Sequence, residues 1–506
     1  MALPHFVVVL AICALTVPCR ALIVKHNFDA GMKPFSYQTF SGVAMYSEKD
    51  APSRSKPGNG HSYIEFDLEL ERSKADRDAF LELIVIPDIN INDIGVKKNG
   101  NLHLCCNVDL LNQYGCTEDH IGELIIPKNI RGLYREKIAL EGGSALKRVK
   151  TKAPVQVTAI HVFALSSCDS NLQISETEES IITFSGTTRW MNPYGHLPGD
   201  VYGYLPFYGW MCIIYLVISI IWFCFNAIYW NELLHVQNCI TGVLAMCLIE
   251  MATWYFHYLH LNNIGVVHHG PFVLGLITTC SRRMVSRMLV LAVSLGYGVV
   301  KPTLHKVVKN KVVMLGVVYW IFAFMFESLI HYNQTEKVES WMRVILIPPV
   351  AIINGIFWWW TFVSLNKTIE QLKIRRQSAK LQLYKSFTLV LVITLIAAIT
   401  FAIYEMYYVL KELYFAQWQK LWFMEVGFWQ ILFSSIFITI MILWRPSEHF
   451  KRYAYYNQGT TLDVDNEYGG REDDELDEAA QFNAPDTFAD HITKRRPDTA
   501  GHDEED

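Results

Sequence analysis

The distribution of apolar and polar residues divides the chain into distinct parts. From Leu205 to Trp444, seven long apolar runs are separated by short polar connectors. Each run is close to the length, about 20 residues, that an α-helix needs to cross the ~30 Å hydrocarbon core of a bilayer. The pattern therefore predicts seven transmembrane helices, at residues 205–229, 237–259, 271–299, 312–331, 343–365, 386–410 and 422–444.

The segment before these runs, residues 22–200, has the pattern of an all-β module. Short runs rich in Val, Ile, Phe and Thr alternate apolar with polar positions, and clusters of Gly, Pro, Asn or Asp separate them. This spacing is typical of the strands of a β-sandwich. The predicted strands are residues 62–70, 80–86, 121–127, 154–165 and 180–186.

The two ends of the chain differ from both of these parts. Residues 1–21 contain a ten-residue apolar stretch and small residues suited to cleavage at their end, which predicts a signal peptide. Residues 446–506 are polar and include the acidic run EDDELDE at 472–478, which predicts a disordered tail. The predicted fold is thus a β-sandwich at 22–200, a seven-helix transmembrane bundle at 201–445 and an acidic tail.

Composition and charge agree with a membrane protein and predict its orientation. Apolar residues make up 51% of the chain and charged residues 18%, whereas soluble domains are about 25% charged. Lys and Arg are concentrated in the connectors 300–311 and 366–385, so these connectors should be cytosolic and the sandwich lumenal. The sequon Asn333-Gln334-Thr335 then falls in a lumenal connector and is a candidate glycosylation site.

Four of the 11 cysteines lie in the predicted β module, namely Cys105, Cys106, Cys116 and Cys168. In an oxidising lumen, four cysteines imply two disulfides. A bond between two adjacent cysteines is strained, which leaves 105–116 with 106–168, or 105–168 with 106–116. A zinc site is the less favoured alternative, because no nearby pair of histidines completes a zinc-binding spacing.

The third apolar run carries the most costly charges of the bundle, Arg282, Arg283 and Arg287. An arginine near the bilayer centre costs about 2.5–3.5 kcal/mol on insertion scales, so such residues face the protein interior, where we expect carboxylate partners. The candidates, in the lumenal halves of four other runs, are Glu250, Glu327, Glu405 and Glu425. We predict a polar cavity open toward the lumen, with the acids above and the arginines near its floor. The alternative is a set of buried ion pairs that only fix helix register.

Several stretches of the chain resemble one known family. They are RWMNPYGHLPG (189–199), SRRMVSRMLVLAVSLGYGVVKPTL (281–304), KLQLYKSF (380–387) and LWRPS (443–447). On these stretches the chain resembles the lung seven-transmembrane receptor family, also described as GOLD-domain seven-transmembrane (GOST) proteins. The lumenal cysteine pattern and RYAY after the last run are similar to the plant-type branch.

This resemblance implies a lumenal GOLD-like β-sandwich on a seven-helix bundle in Golgi and allied membranes. It also implies a role in membrane trafficking and cargo transport, and animal relatives have been proposed as ion-conducting or mechanosensitive components. The family's basic residues in the third helix correspond to Arg282, Arg283 and Arg287. The family's bundle encloses a charged cavity that is accessible to lipid.

Three functions follow as hypotheses. The first is a Golgi trafficking protein that recognises lumenal cargo or a partner and whose acidic tail binds cytosolic sorting adaptors. The alternatives are a G-protein-linked signalling receptor, or a pathway for cations or lipids through the charged cavity. Membrane lipids are partners in each case, and nucleic acid is not expected. The sequence has no nucleophile–base pair, metal triad or HExxH motif, so we expect no enzyme activity, catalytic residue, metal or cofactor.

Overall fold

The structure is a computed structural model that describes residues 23–446. Its gaps are residues 33–35, 41, 73–78, 99–100, 107–109, 111–115, 118–119, 122, 128–129, 141–145, 169–181, 231–232, 301–303, 334–339 and 412. The predicted signal peptide lies outside the described residues, as does the predicted tail apart from Pro446. Within residues 1–445, which form one unit, a β-sandwich is followed by a bundle of helices.

The sandwich consists of antiparallel sheets. Its strands are β1 (Ile23–Met32), β2 (Ser36–Thr39), β3 (Val43–Met45), β4 (Tyr63–Arg72), β5 (Ala79–Pro87), β6 (Val96–Lys98), β7 (Asn101–His103), β8 (Tyr134–Leu140), β9 (Leu146–Pro154), β10 (Ala159–Ser167) and β11 (Ile182–Met191). Sheet A has the order β1-β11-β4-β9, and sheet B has the order β2-β10-β5-β8 with β3 also paired to β10. Strands β6 and β7 form a separate pair.

The core between the sheets follows from the two-residue period of the strands. In β4, the side chains of Ile64, Phe66, Leu68 and Leu70 are buried, and the acidic residues between them face outward. Sheet B contributes Leu81, Leu83, Val85, Phe163 and Leu165 to the same core cluster. The alternation that predicted these strands therefore reflects one buried and one polar face of sheet A.

Sheet B differs from sheet A because its outer face is also covered. Ile84 and Ile86 pack against Ile94 and Leu124, which belong to the cysteine-containing segment between β5 and β8. The prediction of a strand at 121–127 is wrong. The described residues of this run lie over sheet B, and their β-pairing is an isolated bridge between Leu124 and Cys105.

Two disulfides hold the covering segment. Cys105 is bonded to Cys168, which follows β10, and Cys106 is bonded to Cys116 within the segment. This is one of the two sets that the sequence analysis left open. The first bond ties the segment to sheet B, because Cys168 directly follows β10. The loop that this bond closes spans 63 positions of the chain.

A buried network of charges also attaches this segment to sheet B. Glu82 on β5 is only 1% exposed, and its carboxylate accepts the backbone N–H of Leu124 at 3.0 Å. Arg135 on β8 lies 2.6 Å from Glu82 and 3.0 Å from Glu123 in the segment. Lys137 pairs with Glu123 as well. These opposite charges offset the cost of burying Glu82. Desolvation by burial nevertheless raises the pKa of Glu82 above its usual value.

The bundle contains the seven predicted helices. They are α1 (Tyr204–Ile228), α2 (His235–Ile264), α3 (His269–Ser294), α4 (Lys306–Asn333), α5 (Ser340–Ile374), α6 (Ser378–Leu410) and α7 (Phe428–Leu443), the last preceded by a π-helical turn, Phe423–Gly427. By length and composition, six of the described helical stretches can cross a membrane. The stretch that does not meet this criterion is α3, the helix with the three arginines.

The outer surface of the bundle has the character of a lipid-facing surface. Exposed aliphatic residues follow one another at helical spacing, for example Ile213, Val217, Ile220 and Ile221 on α1, and Ile396, Ile399 and Ile403 on α6. A contiguous apolar surface of this size on a soluble protein would promote aggregation, whereas the hydrocarbon of a bilayer solvates it.

Several strands were not predicted. They include β8 and β9, whose sequences YREKIAL and LKRVKTKAP are rich in Lys and Arg. Both strands lie at sheet edges, where charged side chains protect the unpaired backbone, so their apolar signal is weak. The predicted strand 154–165 is divided, because β9 ends at Pro154 and β10 begins at Ala159.

We predict that acid destabilises the sandwich through His161, which is 1% exposed. Burial lowers its pKa from 6.5 to about 4, so the folded state binds the proton more weakly than the unfolded state. The contribution of neutral His161 to the free energy of unfolding is therefore fully present above pH 6.5. It falls by about 3 kcal/mol as the pH drops to 4. The urea midpoint for loss of hydrogen-exchange protection in β4 and β11 measures this effect. His161→Leu should reduce the pH dependence, and His61→Gln, at an exposed site, should leave it unchanged.

Candidate functional site

A cavity of about 990 Å³ lies inside the helix bundle. Its wall contains all seven charged residues that the sequence analysis singles out, namely Arg282, Arg283, Arg287, Glu250, Glu327, Glu405 and Glu425. They lie on α2, α3, α4, α6 and the π-helical turn. The volume is at the upper end of the range that small-molecule sites occupy.

The most deeply buried charge pair joins α3 to α2. Arg282 donates from Nε to the carboxylate of Glu250, and 6% and 3% of these side chains are exposed. The Nη2 of Arg282 also donates to Oε1 of Gln430 on α7 at 3.1 Å. The guanidinium carbon lies 4.5 Å from the ring centre of Phe433. Because a guanidinium that leaves water needs acceptors for its five N–H groups, these contacts hold three helices together.

The second charge pair joins α3 to α4. Arg283 donates from Nη1 to the carboxylate of Glu327, and these side chains are 35% and 16% exposed. The pair is therefore less deeply buried than the Arg282–Glu250 pair, although both line the cavity. Each pair is neutral as a unit, so neither contributes a net charge to the cavity.

Arg287 lies one helical turn further along α3 and has a different environment. Its Nε donates to Oδ1 of Asn354 on α5 at 2.8 Å, and its Nη1 donates to the carbonyl of Arg283 at 3.1 Å. Its guanidinium lies 4.4 Å from the ring centre of Tyr319. The expectation that every arginine has a carboxylate partner is wrong for Arg287, since no described Asp or Glu lies within 4.0 Å of it. Neutral acceptors and a π-face satisfy it instead.

The remaining two acids lie toward the sandwich end of the bundle. Glu425 is part of the π-helical turn, and its Oε2 accepts a hydrogen bond from the hydroxyl of Tyr204 at 2.7 Å. Glu405 on α6 is near enough to Glu425 for their charges to repel. The predicted layering is therefore correct only for these two acids. Glu250 and Glu327 are ion-paired beside the arginines, because burying an arginine without a counter-charge is costly.

Aromatic side chains form much of the remaining wall near the sandwich. The rings of Tyr204, Tyr208, Trp254 and Tyr258 stack at centroid distances between 5.4 and 6.2 Å. All four line the cavity. An apolar wall with a few oriented charges is the usual arrangement of a site for an amphipathic ligand. The cation at Arg287 and the acids at the sandwich end would orient such a ligand along the cavity.

Sequence reasoning missed the neutral partners in the cavity. Gln430, Asn354 and Tyr319 are polar groups in apolar helices, and this was the only signal that could have identified them. Such residues most often serve helix packing. Their role depends on which helices face α3, and that information is not present in the local pattern.

The other predicted sites have simpler outcomes. Asn333 is the last residue of α4, and the rest of its connector lies outside the described residues. Among the residues that the structure describes, no group of three or more His, Cys, Asp or Glu side chains could hold a metal ion.

Comparison with known proteins identifies the bundle. Residues 203–451 match the family model "GOST, seven transmembrane domain". The chain is 33% identical to transmembrane protein 87A of Xenopus tropicalis over 284 residues, which are 56% of this chain and 52% of that protein. It is 32% identical to human transmembrane protein 87A over 324 residues, 63% of this chain and 57% of that protein.

A yeast relative matches over a longer region. Membrane protein PTM1 of Saccharomyces cerevisiae is 23% identical over 449 residues, 85% of this chain and 82% of that protein. By contrast, the chain spans about half the length of the transmembrane protein 87 relatives that it matches.

The lipid-facing helices, the internal charges and these matches define the class of the protein. It is a multi-pass integral membrane protein in which a β-sandwich precedes a helix bundle. Residues 203–451 are a GOST seven-transmembrane domain, and the resemblance of the chain to the GOST, or lung seven-transmembrane receptor, family that its motifs indicated is confirmed. Its assignment to the plant-type branch stays a prediction.

We predict that Glu250→Gln destabilises the bundle by about 3–5 kcal/mol, because it leaves the guanidinium of Arg282 buried without a counter-charge. Replacing both partners, as Glu250→Leu with Arg282→Met, should recover most of this loss. Denaturant unfolding of the full chain in detergent measures both effects. Glu405→Gln is the control, because Glu405 is in no ion pair among the described residues. Equal losses for Glu250→Gln and Glu405→Gln would contradict the prediction.

Proposed function

We propose that the protein acts in membrane trafficking within the Golgi and allied membranes, and that its sandwich recognises lumenal cargo or a partner protein. The observation that carries this proposal is the attachment of a disulfide-linked sandwich to one end of the bundle. Disulfides form in oxidising compartments, which supports a lumenal position for the sandwich. A domain attached in this way presents its outer faces to soluble partners on one side of the membrane.

The outer face of sheet A is the surface that we propose for recognition. Its central strand β4 carries outward acids, and the neighbouring edge strand β9 carries outward bases in register with them. Arg148 makes two hydrogen bonds to Asp67, at 2.8 and 2.9 Å, although its side chain is 64% exposed. Lys150 and Lys152 are exposed on the same edge. Exposed pairs contribute little to stability, so these charges are available for a partner of complementary pattern.

Rescue of cells that lack the protein tests this proposal. The tagged full chain should colocalise with Golgi markers and restore transport of secretory cargo. Arg148→Glu with Lys150→Glu should abolish the rescue without changing the amount of folded protein, because both residues are exposed. Lys97→Glu, an exposed lysine on β6, is the matched control and should rescue fully. Normal cargo transport in cells without the protein would end this proposal.

We infer a second candidate function, a pathway or binding site for lipid within the bundle, from the charge distribution in the cavity. The cation of Arg287 has neutral partners, so the deep part of the cavity carries a positive charge. A positive charge favours a phosphate group over a metal cation. The lipid alternative is therefore better supported than the cation alternative. The headgroup of a phospholipid fits a site with one unneutralised guanidinium and an aromatic wall.

Binding of dioctanoyl phosphatidylglycerol to the purified full chain tests the second function. Arg287→Gln should weaken binding about tenfold or more, because a charge-assisted hydrogen bond contributes about 1.5–3 kcal/mol. Arg131→Gln, an exposed arginine on the sandwich, should bind as the parent does. Potassium efflux from liposomes containing the protein should not exceed that from empty liposomes. Efflux that depends on Arg287 would instead favour the cation alternative, and unchanged lipid binding by Arg287→Gln would contradict the lipid site.

A further inference from the structure

The end of the cavity nearest the sandwich is also the contact between the sandwich and the bundle. An apolar cluster at this contact includes Tyr46 and Tyr194 from the sandwich side and Trp418 from the segment before α7. Five members of the cluster and its packed neighbours also line the cavity, namely Val201, Tyr258, Leu261, Val267 and Leu421. The same side chains therefore attach the sandwich and close the cavity.

A buried polar clamp holds this contact. The segment after β11, residues 192–204, is here called the exit segment, and it passes over the end of α2. Asn262 of α2 donates from Nδ2 to the carbonyl of Tyr194 at 2.9 Å and accepts the N–H of Leu197 on Oδ1 at 3.3 Å. Its own carbonyl accepts the N–H of His196 at 2.9 Å. Asn262 is only 4% exposed, so its side-chain amide makes its hydrogen bonds to the exit segment and not to water.

The sandwich side of the clamp uses a second asparagine. Asn192, which is fully buried, accepts the N–H of Tyr46 on Oδ1 at 2.9 Å and donates from Nδ2 to the carbonyl of Leu197 at 2.8 Å. The exit segment is thus bonded on one side to the end of β3 and on the other side to α2. A movement of the sandwich must carry the exit segment with it.

Glycines bring the exit segment into direct contact with the bundle at three places. A Cβ at Gly195, where φ is +143°, would lie 2.4 Å from Oδ1 of Asn262. A Cβ at Gly199 would lie 2.4 Å from Trp418, and one at Gly203 would lie 2.1 Å from Trp422. Trp422 immediately precedes the π-helical turn that carries Glu425. These close contacts therefore continue along the exit segment to Trp422, beside the turn that carries Glu425.

We propose that the exit segment is a movable roof of the cavity, and that a partner bound to the sandwich changes access to the cavity by moving this roof. Such a roof would regulate the lipid site proposed above, and its biological role rests on that proposed function. The alternative is a permanent anchor that only fixes the sandwich. The two differ in what happens when the clamp is weakened, because only a roof admits small polar molecules from water when it loosens.

Chemical modification of a cysteine inside the cavity tests the proposal. Ser286 is 5% exposed and lines the cavity, so Ser286→Cys reports access in a background whose free cysteines are replaced by alanine. The full chain in lipid nanodiscs is treated with a small anionic methanethiosulfonate, which enters from water and not through lipid. Asn262→Ala should raise the modification rate about tenfold, the factor that corresponds to about 1.4 kcal/mol of lost hydrogen bonding.

Further variants separate the roof from general damage. Gly195→Ala keeps every polar group of the clamp but cannot fit against Asn262, so it should also accelerate modification. Val149→Ala removes two methyl groups from the sandwich core and should not accelerate modification. Leu146→Cys, at a 58% exposed site, should react equally fast in all variants.

Two outcomes would overturn the proposal. One is an unchanged rate for folded Asn262→Ala and Gly195→Ala proteins, and the other is equal acceleration by Val149→Ala. Because modification does not depend on which ligand the cavity holds or on cargo transport, failure here is distinct from failure of the proposed function.

Discussion

The requirement that a buried arginine has a counter-charge organises this bundle. Arg282 and Arg283 are adjacent on α3, yet they point to carboxylates on different helices, Glu250 on α2 and Glu327 on α4. Breaking such a pair is far more costly than forming it is favourable, so the pairs select the one arrangement of helices that satisfies both. The third helix is the least apolar of the seven for this reason. Its charges are tolerated because other helices surround them.

The same constraint gives the cavity its character. Once Arg282 and Arg283 are neutralised, the positive charge that remains is that of Arg287, beside neutral Asn354 and Tyr319. Acids remain at the opposite end, near the sandwich. A cavity with separated charges and an aromatic wall distinguishes ligands by their own charge distribution. Because the exit segment contacts both the sandwich and the cavity, binding of a partner to the sandwich is connected with access to the cavity.

The sequence predicts the transmembrane helices and the burial of the arginines well, because the cost of placing polar groups in hydrocarbon dominates both. Seven helices follow from hydropathy, and the need of Arg282 and Arg283 for carboxylate partners follows from the cost of charge in hydrocarbon, whereas the choice among the four candidate acids comes from the structure. Helix ends are predicted less well: α5 continues to Ile374, because Lys and Gln favour helix but end a hydropathic run. The strands β8 and β9 are missed because edge strands are polar. Asn354 and Asn262 are missed because a neutral amide becomes significant only through its partners, which tertiary packing decides.

The arginines of α3 face inward, and Arg282 and Arg283 are paired with acids of other helices. A density map of the full chain in lipid nanodiscs would show these side chains in a membrane. We expect continuous side-chain density between Arg282 and Glu250 and between Arg283 and Glu327, with Arg287 directed into the cavity. Guanidinium density directed outward among the acyl chains, or carboxylates turned away from these arginines, would contradict this expectation.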